Sequence, residues 1–438
     1  PHPCMNPDAA PTAAPHDPYA ALRVPDFRRY VTARALFSIA TQIQGVVVSW
    51  QIFKLTNDPL ALGLIGLAEA IPSITVSLYA GHVADSVRRK RIVVPAVLVL
   101  VLCAFTLWWL AHPLQEALLQ KGRLNLTSLH ATVVWPLYLV IFISGIARGF
   151  LSPALFAFMP QLLPERAALP NAITWSSTTW QASAVLGPAI GGLLLTYKSI
   201  EFAYGVDSVL EVLALLFFVS IASRPLPPIE GERLGLGESI TSGIKFIFSN
   251  QLVLAALSLD MFAVLFGGAV ALLPFFAATV LHSPGSFGNL RAAPAVGSVL
   301  MAIFLTFSPL KKGAGRKMLW AVGGFGAATV AFALSTNLYL SMFLLFLTGV
   351  FDAVSVIVRS TLVHTYTPEY MKGRVSAVNS IFIGSSNEIG SFESGTAAKF
   401  MGTVPSVVFG GVMTMLVVAF TAWRADKLRS LEIGTEKK

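Results

Sequence analysis

The sequence predicts an all-α membrane protein, with twelve transmembrane helices in two pseudo-symmetric six-helix bundles. Three observations carry that prediction. Hydrophobic residues make up 55% of the 438-residue chain. A helix that crosses a bilayer needs roughly 20 mostly apolar residues, so this stock suits about twelve crossings. Charged residues are only 12%, about half the share usual in a soluble domain, and mean hydropathy is +0.70. The third observation is an internal repeat on either side of a polar break. A soluble enzyme and a disordered chain are both excluded. So is a porin-type barrel, whose strands alternate polar and apolar residues and give no long apolar runs.

The elements follow in order. Residues 1–25 are rich in Pro, Ala and Asp and lack the basic start and apolar core of a secretory signal; they read as a disordered cytoplasmic tail. Residues 26–222 form the first bundle, with apolar runs at about 30–54, 60–83, 91–111, 134–158, 171–196 and 202–222. A cytoplasmic linker occupies 223–249. Its Arg224-Pro225-Leu226-Pro227-Pro228 stretch is a stiff exit, and residues 238–248 read as a short amphipathic helix on the membrane surface. Residues 250–424 form the second bundle, with runs at about 250–280, 288–308, 317–335, 338–362, 375–400 and 403–423. The run at 250–280 is long enough to hold a turn or a tilt. Residues 425–438 are a second cytoplasmic tail.

Charge sets the orientation. With the N-terminus inside, 22 of the 31 Lys and Arg residues fall on inner segments, 5 on outer ones and 4 within spans. Cytoplasmic loops collect Lys and Arg, so both termini are expected in the cytoplasm. The same rule accounts for the net charge of +9 without a nucleic-acid partner. The two cysteines, Cys4 and Cys103, are too far apart in sequence for a metal or redox motif, and the seven histidines are scattered. No metal and no cofactor is expected.

The two halves match in register. Gly145-x-x-Arg148 and Gly349-x-x-Asp352 lie 204 residues apart, as do Pro164-Glu165 and Pro368-Glu369. In the second span of each half, Glu69-Ala70-Ile71-Pro72 corresponds to Arg291-Ala292-Ala293-Pro294. Internal repeats of this kind are typical of secondary transporters, whose sites lie near the midplane between the repeats.

Charges within the spans carry the most information. They are Glu69, Asp207, Glu211, Asp260, Asp352, Glu388 and Glu393, with Arg34, Arg148, Arg291 and Arg359. Each costs about 2.5–3.5 kcal/mol or more at a bilayer centre, so each must line a wet cavity, pair, or sit near a span end. Arg34, Arg359 and Glu393 fall toward span ends. Asp207 and Glu211, an i, i+4 pair on span six, are expected to be structural or at the outer end. Glu69, Arg148, Asp260, Asp352 and Glu388 are the candidate proton-coupling set. A carboxylate moved between a dry pocket and an arginine binds and releases a proton. The alternative for each is a permanent salt bridge. Gln42, Trp175, Thr179, Arg291, Asn379 and Asn387 are candidates to line a substrate cavity, since amides, hydroxyls and indoles suit a bulky amphipathic guest; the alternative is hydrogen bonding between helices. On span five, Ser183, Gly187 and Gly191 share one face at four-residue spacing, which allows a close helix crossing, and Pro188 bends the helix.

Several of these residues resemble a known family. The loop Gly81-His-Val-Ala-Asp85-Ser-Val-Arg-Arg-Lys-Arg91 resembles the Gly-x-x-x-Asp-Arg-x-Gly-Arg-Arg signature of the major facilitator superfamily, departing from it at Ser86 and Arg88. Gly187-Pro188-Ala-Ile-Gly191-Gly192 resembles the signature of its drug–proton antiporters. Gly373-Arg374-Val375-Ser376-Ala377-Val378-Asn379, with Ser386-Asn387-Glu388, is similar to the enterobactin-exporter and macrolide-efflux group. The resemblance implies that spans one, four, seven and ten wall the cavity. It implies an inner gate at Gly81, Asp85, Arg89, Arg91 and Arg359, where Asp85 latches the cytoplasmic side; the alternative is a plain basic loop. It implies that the bend at Gly187, Pro188, Gly191 and Gly192 favours export.

The chain has no Gly-x-x-x-x-Gly-Lys-Ser/Thr loop for ATP and no metalloprotease or nucleophile-elbow motif, so no enzyme is expected. The leading reading is a proton-coupled antiporter that exports a small amphipathic compound, siderophore- or drug-like, by alternating access. The expected setting is a monomer in lipid in a bacterial inner membrane. Two alternatives stand beside it: an importer or uniporter of a siderophore or lipid-like solute, and a non-transporting sensor on the same fold.

Overall fold

A computed structural model describes residues 19–119, 134–164, 169–225, 236–308, 313–368 and 371–429. Within these ranges the side chains at 77–78, 81–82, 84–86, 113–119, 170, 236–240, 306, 364, 372–374, 376–377, 380–381, 385 and 426–427 are not described. Gly81 and Asp85 of the expected inner gate therefore lie outside the described side chains.

The first half consists of α1 (Pro25–Thr56), α2 (Pro59–Ser86), α3 (Lys90–Leu119), α4 (Trp135–Phe158), α5 (Leu169–Tyr197) and α6 (Ile200–Ser220). The connecting α7 (Leu236–Ser249) covers the expected surface helix. The second half holds α8 (Gln251–Phe266), α9 (Phe287–Phe307), α10 (Ala314–Leu334), α11 (Leu338–Tyr366), α12 (Lys372–Met401) and α13 (Thr403–Arg424). No strand occurs among the described residues. Ten of the described helices are long and apolar enough to cross a membrane. The two long helices outside that set are α5 and α12. They occupy equivalent places in the two halves and hold much of the polar lining noted in the sequence.

Local chemistry sets the helix ends. Asp58, Ser199, Asn250 and Asn337 each cap a helix by accepting backbone N–H bonds. The inner end of α6 is held by cations: Lys90 Nζ donates to the carbonyls of Val219 and Ile221 at 2.7 and 2.5 Å, and Arg29 donates to that of Ser220. Cations suit the negative end of a helix dipole. Arg224, just past α6, pairs with Asp26 at the start of α1 at 2.9 Å, so several basic residues of the topology pattern also clamp helix ends.

The long seventh run breaks, as its length suggested. After Phe266 the chain passes Gly267 and Gly268, makes a 3-10 turn at Ala269–Leu272 and closes with a π-turn at Phe276–Val280. A Cβ on Gly268 would meet Ser394 and lie 2.8 Å from the Gly390 carbonyl, so the break lets α12 pack onto bare backbone.

The segments that adjoin the tails are docked on the bundles. Residues 19–24, expected within a disordered segment, are docked. Ala21 is fully buried in a 3-10 turn, its N–H donates to Asn171 Oδ1 at 3.1 Å, and Tyr19 packs on Trp175. At the other terminus, Asp426–Arg429 forms a helical turn whose Leu428 is fully buried in a cluster with Met318 and Leu319. In each case a small apolar side chain finds a pocket that the charge pattern does not reveal.

The halves meet along two seams, α2 against α12 and α5 against α9. The repeat that relates α2 to α9 also relates α5 to α12, so it exchanges the two seams. Both seams are lined with glycine. A Cβ on Gly63 would lie 3.2 Å from the Gly395 Cα, and one on Gly66 would lie 3.1 Å from the Ser391 Cβ. A Cβ on Gly192 would collide with the Gly288 Cα.

The described seam contacts lie from mid-membrane to the end away from the termini. There Trp50 stacks on Phe287 at 5.5 Å, Phe53 meets Phe275 edge-on at 4.8 Å, Thr196 Oγ1 donates to the Gly285 carbonyl at 2.8 Å, and Lys399 pairs with Asp58 at 2.9 Å. A crevice of about 220 Å³ lies among Trp50, Lys54, Gly192, Thr196 and Phe287. Toward the other end a Cβ on Gly384 would meet open space, and Tyr79 is 61% exposed. Among the described residues, the contacts between the halves gather at the turns that hold Asp58 and Gly285.

Candidate functional site

The repeat builds the site. Gly145 lets α4 lie against α2: a Cβ there would sit 2.7 Å from the Glu69 carbonyl and 2.8 Å from the Pro72 ring. Its counterpart Gly349 lies against the backbone of Pro294 on α9, whose carbonyl a Cβ there would strike. Ser298 Oγ also donates to the Gly349 carbonyl at 2.9 Å. The residue pairs matched in the sequence are thus matched in space. In the first half the close approach sets Arg148 beside Glu69, and the two form an ion pair with side chains 20% and 28% exposed.

The arginine also reaches backward. Its other terminal nitrogen donates to Gln44 Oε1 on α1 at 2.8 Å, and Gln44 Nε2 donates to Asp207 Oδ2 on α6 at 3.3 Å. Asp207 and Glu211 are fully buried. Of the structural and outer-end roles expected of them, their mid-helix place does not fit the outer end; the shared face is turned onto α1 and α3. Their i, i+4 spacing was visible in the sequence, but the direction of that face was not.

The second half supplies opposite charges at the seam. Glu388 of α12 interacts electrostatically with Glu69, Arg148 and Arg291, and Arg291 of α9 with Glu388 and Glu69. Two acidic and two basic side chains from four helices therefore lie within electrostatic range of one another across the halves. A Cβ on Gly66 would lie 3.0 Å from Glu388 Oε2, which places this cluster at the inner edge of the closed seam.

Asp260 and Arg359 depart from expectation. Arg359, placed at the inner gate from its position near a span end, forms a buried ion pair with Asp260, each side chain 5% exposed. Ser355 Oγ donates to the second Asp260 oxygen at 3.2 Å. The pair joins α8 to α11 inside one half, so Asp260 is partnered there and not by Arg148, and it faces only a small cavity of that half. Asp352 lies next to this pair across a cavity of about 10 Å³ shared with Phe325 and Phe351.

The remaining candidates divide. Gln42 sits under Gly187 at the α1–α5 crossing, and Gly191 packs on Val46 of the same helix. Pro188 and Gly192 instead face the other half: a Cβ on Gly288 would lie 3.0 Å from the Pro188 carbonyl. The bend signature thus serves an internal crossing and a seam. Trp175 is half-buried beneath Tyr19, and Thr179 is half-buried on the same helix. Asn379 Oδ1 is buried without a hydrogen-bond partner. Asn387, next to Glu388, is exposed and donates to its own helix at the Ile383 carbonyl. Arg89 is buried at the start of α3 and Arg91 is exposed. Gln44, two residues along α1 from Gln42, links Arg148 to Asp207 in this network.

A profile of the Major Facilitator Superfamily matches residues 31–391. The chain belongs to that superfamily. Among its relatives are enterobactin exporters EntS from Shigella boydii serotype 18 and Escherichia coli O81, each 26% identical over 403 residues covering 90% of both chains. Two solved superfamily structures are similar to it in fold. One is a bacterial homologue of the human lysosomal transporter Spinster in an inward-facing, unoccupied conformation, with TM-score 0.71 and 14% identity, covering 94% of this chain and 98% of the other. The second is a D-xylose–proton symporter, with TM-score 0.69 and 12% identity, covering 94% and 100%. The protein is a multi-pass membrane transporter by family, and not an enzyme.

Proposed function

We propose that this protein is a proton-coupled exporter of a small amphipathic compound of siderophore or drug type, acting by alternating access as a monomer in a bacterial inner membrane with both termini in the cytoplasm. The observation that carries the reading is the charge cluster at the seam. Glu69 and Arg148 belong to one half, Arg291 and Glu388 to the other, and they come together beside the α2–α12 seam. Rocking the halves changes the partners of each carboxylate. A carboxylate that alternates between a cation and a drier environment takes up and releases a proton, and the gradient contributes about 1.36 kcal/mol per pH unit. The similarity to enterobactin exporters supports outward transport of a bulky polar–apolar solute.

Proteoliposomes with an imposed pH gradient test this reading, with catecholate siderophores and macrolides as the first solutes. We expect solute flux linked to proton counter-flow, lost in Glu69→Gln and Glu388→Gln proteins that keep wild-type thermal stability. Solute flux that ignores the gradient would assign a uniporter and overturn the coupling.

A further inference from the structure

The central cluster does not end at the cavity. Behind Arg148, away from the seam, Asp207 and Glu211 are 0% exposed. Both Glu211 carboxylate oxygens and Asp207 Oδ1 are buried without a hydrogen-bond partner. Among the described residues, the donor that reaches the pair is the Gln44 amide, at 3.3 Å from Asp207 Oδ2. Their other charged and titratable neighbours are Arg148 on α4, Cys103 on α3 and Tyr204 on α6 itself. Arg148 is already paired with Glu69, and the Tyr204 hydroxyl donates to Gln51 at 2.6 Å. The packed helix α5 carries no Asp, Glu, Lys or Arg.

Two ionised carboxylates one helical turn apart, dry and short of donors, are not a stable arrangement. A buried charge without partners neutralises instead, and two acids that share a site do not both ionise. A metal cation is a poor alternative. Hard cations collect about six oxygen ligands, but the Gln44 oxygen is taken by Arg148 and the Ser208 hydroxyl donates to its own helix at the Tyr204 carbonyl. A bound metal would also sit beside a guanidinium. A proton needs one carboxyl oxygen.

We propose that Asp207 and Glu211 form a second proton-binding site at the rear of the first half, whose occupancy controls how firmly Arg148 holds Glu69. This rests on the proton-coupled reading above and extends it to residues outside the cavity. Arg148 interacts electrostatically with Glu69, Glu211 and Glu388, and with Asp207, so it is one cation shared among four acids. With a proton on the rear pair, Arg148 belongs to Glu69. When a rear carboxyl O–H gives its proton to water and the electron pair stays on oxygen, the new charge draws Gln44 and Arg148 backward. Glu69 is then left free to take a proton from the open cavity. Asp207 and Glu211 act through Gln44 and Arg148, and so are positioning residues for the seam as well as proton carriers.

Infrared difference spectroscopy of the purified full-length protein in lipid, titrated with pH, reads this directly. The wild type should show a carbonyl stretch of buried protonated carboxyl that fades as pH rises. Glu211→Gln and Asp207→Asn should each remove part of it while leaving the fold intact, since an amide mimics a neutral acid. A spectrum in which both variants keep the full wild-type band overturns the site. So does failure of Glu211→Gln to fold, because that would mean the ionised form is needed. Glu69→Gln, which frees Arg148, should alter the pH response of the rear band; an unchanged response overturns the control of Arg148. The spectra need no transport. A silent flux assay beside a titrating rear band would therefore count against the transport reading alone.

Discussion

Gly192 offers the sharpest test of how the closed end is held. A Cβ at this position would run into the Gly288 Cα and lie 2.8 Å from its N and 3.2 Å from its C. Carbon pairs prefer about 3.5–4.0 Å, and the obstacle is backbone of the other half, which no rotamer change can move. Overpacking of this kind costs about 1–3 kcal/mol. The contact lies between the halves, so the strain is relieved by parting them at this end. Gly192→Ala should therefore shift the balance toward the conformation open at the Asp58–Gly285 end by roughly 5- to 150-fold, since about 1.4 kcal/mol is a factor of ten. The shift can be read by electron–electron spin distance measurements between labels at Tyr197 and Phe400, which are 75% and 85% exposed on opposite halves near this end, with Cys4 and Cys103 replaced. Gly45→Ala is the control, because a Cβ there meets nothing within 4 Å, and it should leave the distances unchanged. A Gly192→Ala protein with wild-type distances would refute the reasoning. So would one that loses thermal stability while its distance distribution stays fixed, because the strain would then fall inside a half.

Two further predictions follow from contacts within the halves. Gly145→Ala and Gly349→Ala push on Pro72 and Pro294 inside their own bundles, so each should lower stability by about 1–3 kcal/mol, read as a fall in melting temperature, with the label distances unchanged. Arg359→Met leaves Asp260 buried and unpaired and should cost about 3–5 kcal/mol, whereas Arg359→Met with Asp260→Leu should recover most of it, as buried ion pairs replaced by apolar groups usually do; thermal unfolding in detergent measures both.

Apolar run lengths placed the spans because a bilayer imposes one thickness on all of them. Matched spacings gave the repeat because Gly145 and Gly349 solve the same steric problem against Pro72 and Pro294. Where helix rotation decides, the sequence is silent. Arg359 lies near the end of an apolar run, yet it is turned inward to Asp260. Asp207 and Glu211 lie on a helix that is usually peripheral, yet they face α1. Each side of a membrane helix can be apolar, since both lipid and protein accept it. Hydropathy therefore cannot say which face meets a partner. The docking of Tyr19 and Ala21 was hidden for a related reason: a Pro- and Ala-rich segment gives no periodic pattern, and its contacts come from a pocket that only the assembled bundle provides.

The two buried ion pairs then separate by what they can sense. Asp260 and Arg359 lie within one half, 5% exposed each, with Ser355 as a third partner. When the halves rock as bodies, nothing around that pair changes, so it cannot report the motion. Glu69 and Arg148 also belong to one half, but their field includes Arg291 and Glu388 of the other. Across the repeat the signs are inverted, with Glu69 opposite Arg291 and Arg148 opposite Asp352. Inversion of sign gives two similar bundles complementary rather than repulsive faces at the point where they meet. A rocking motion that separates those faces takes away cations from acids and acids from cations together. On the proposed proton-coupled reading, charges that change company in this way are the ones to exchange protons in step with the motion, while the Asp260–Arg359 pair fastens α8 to α11.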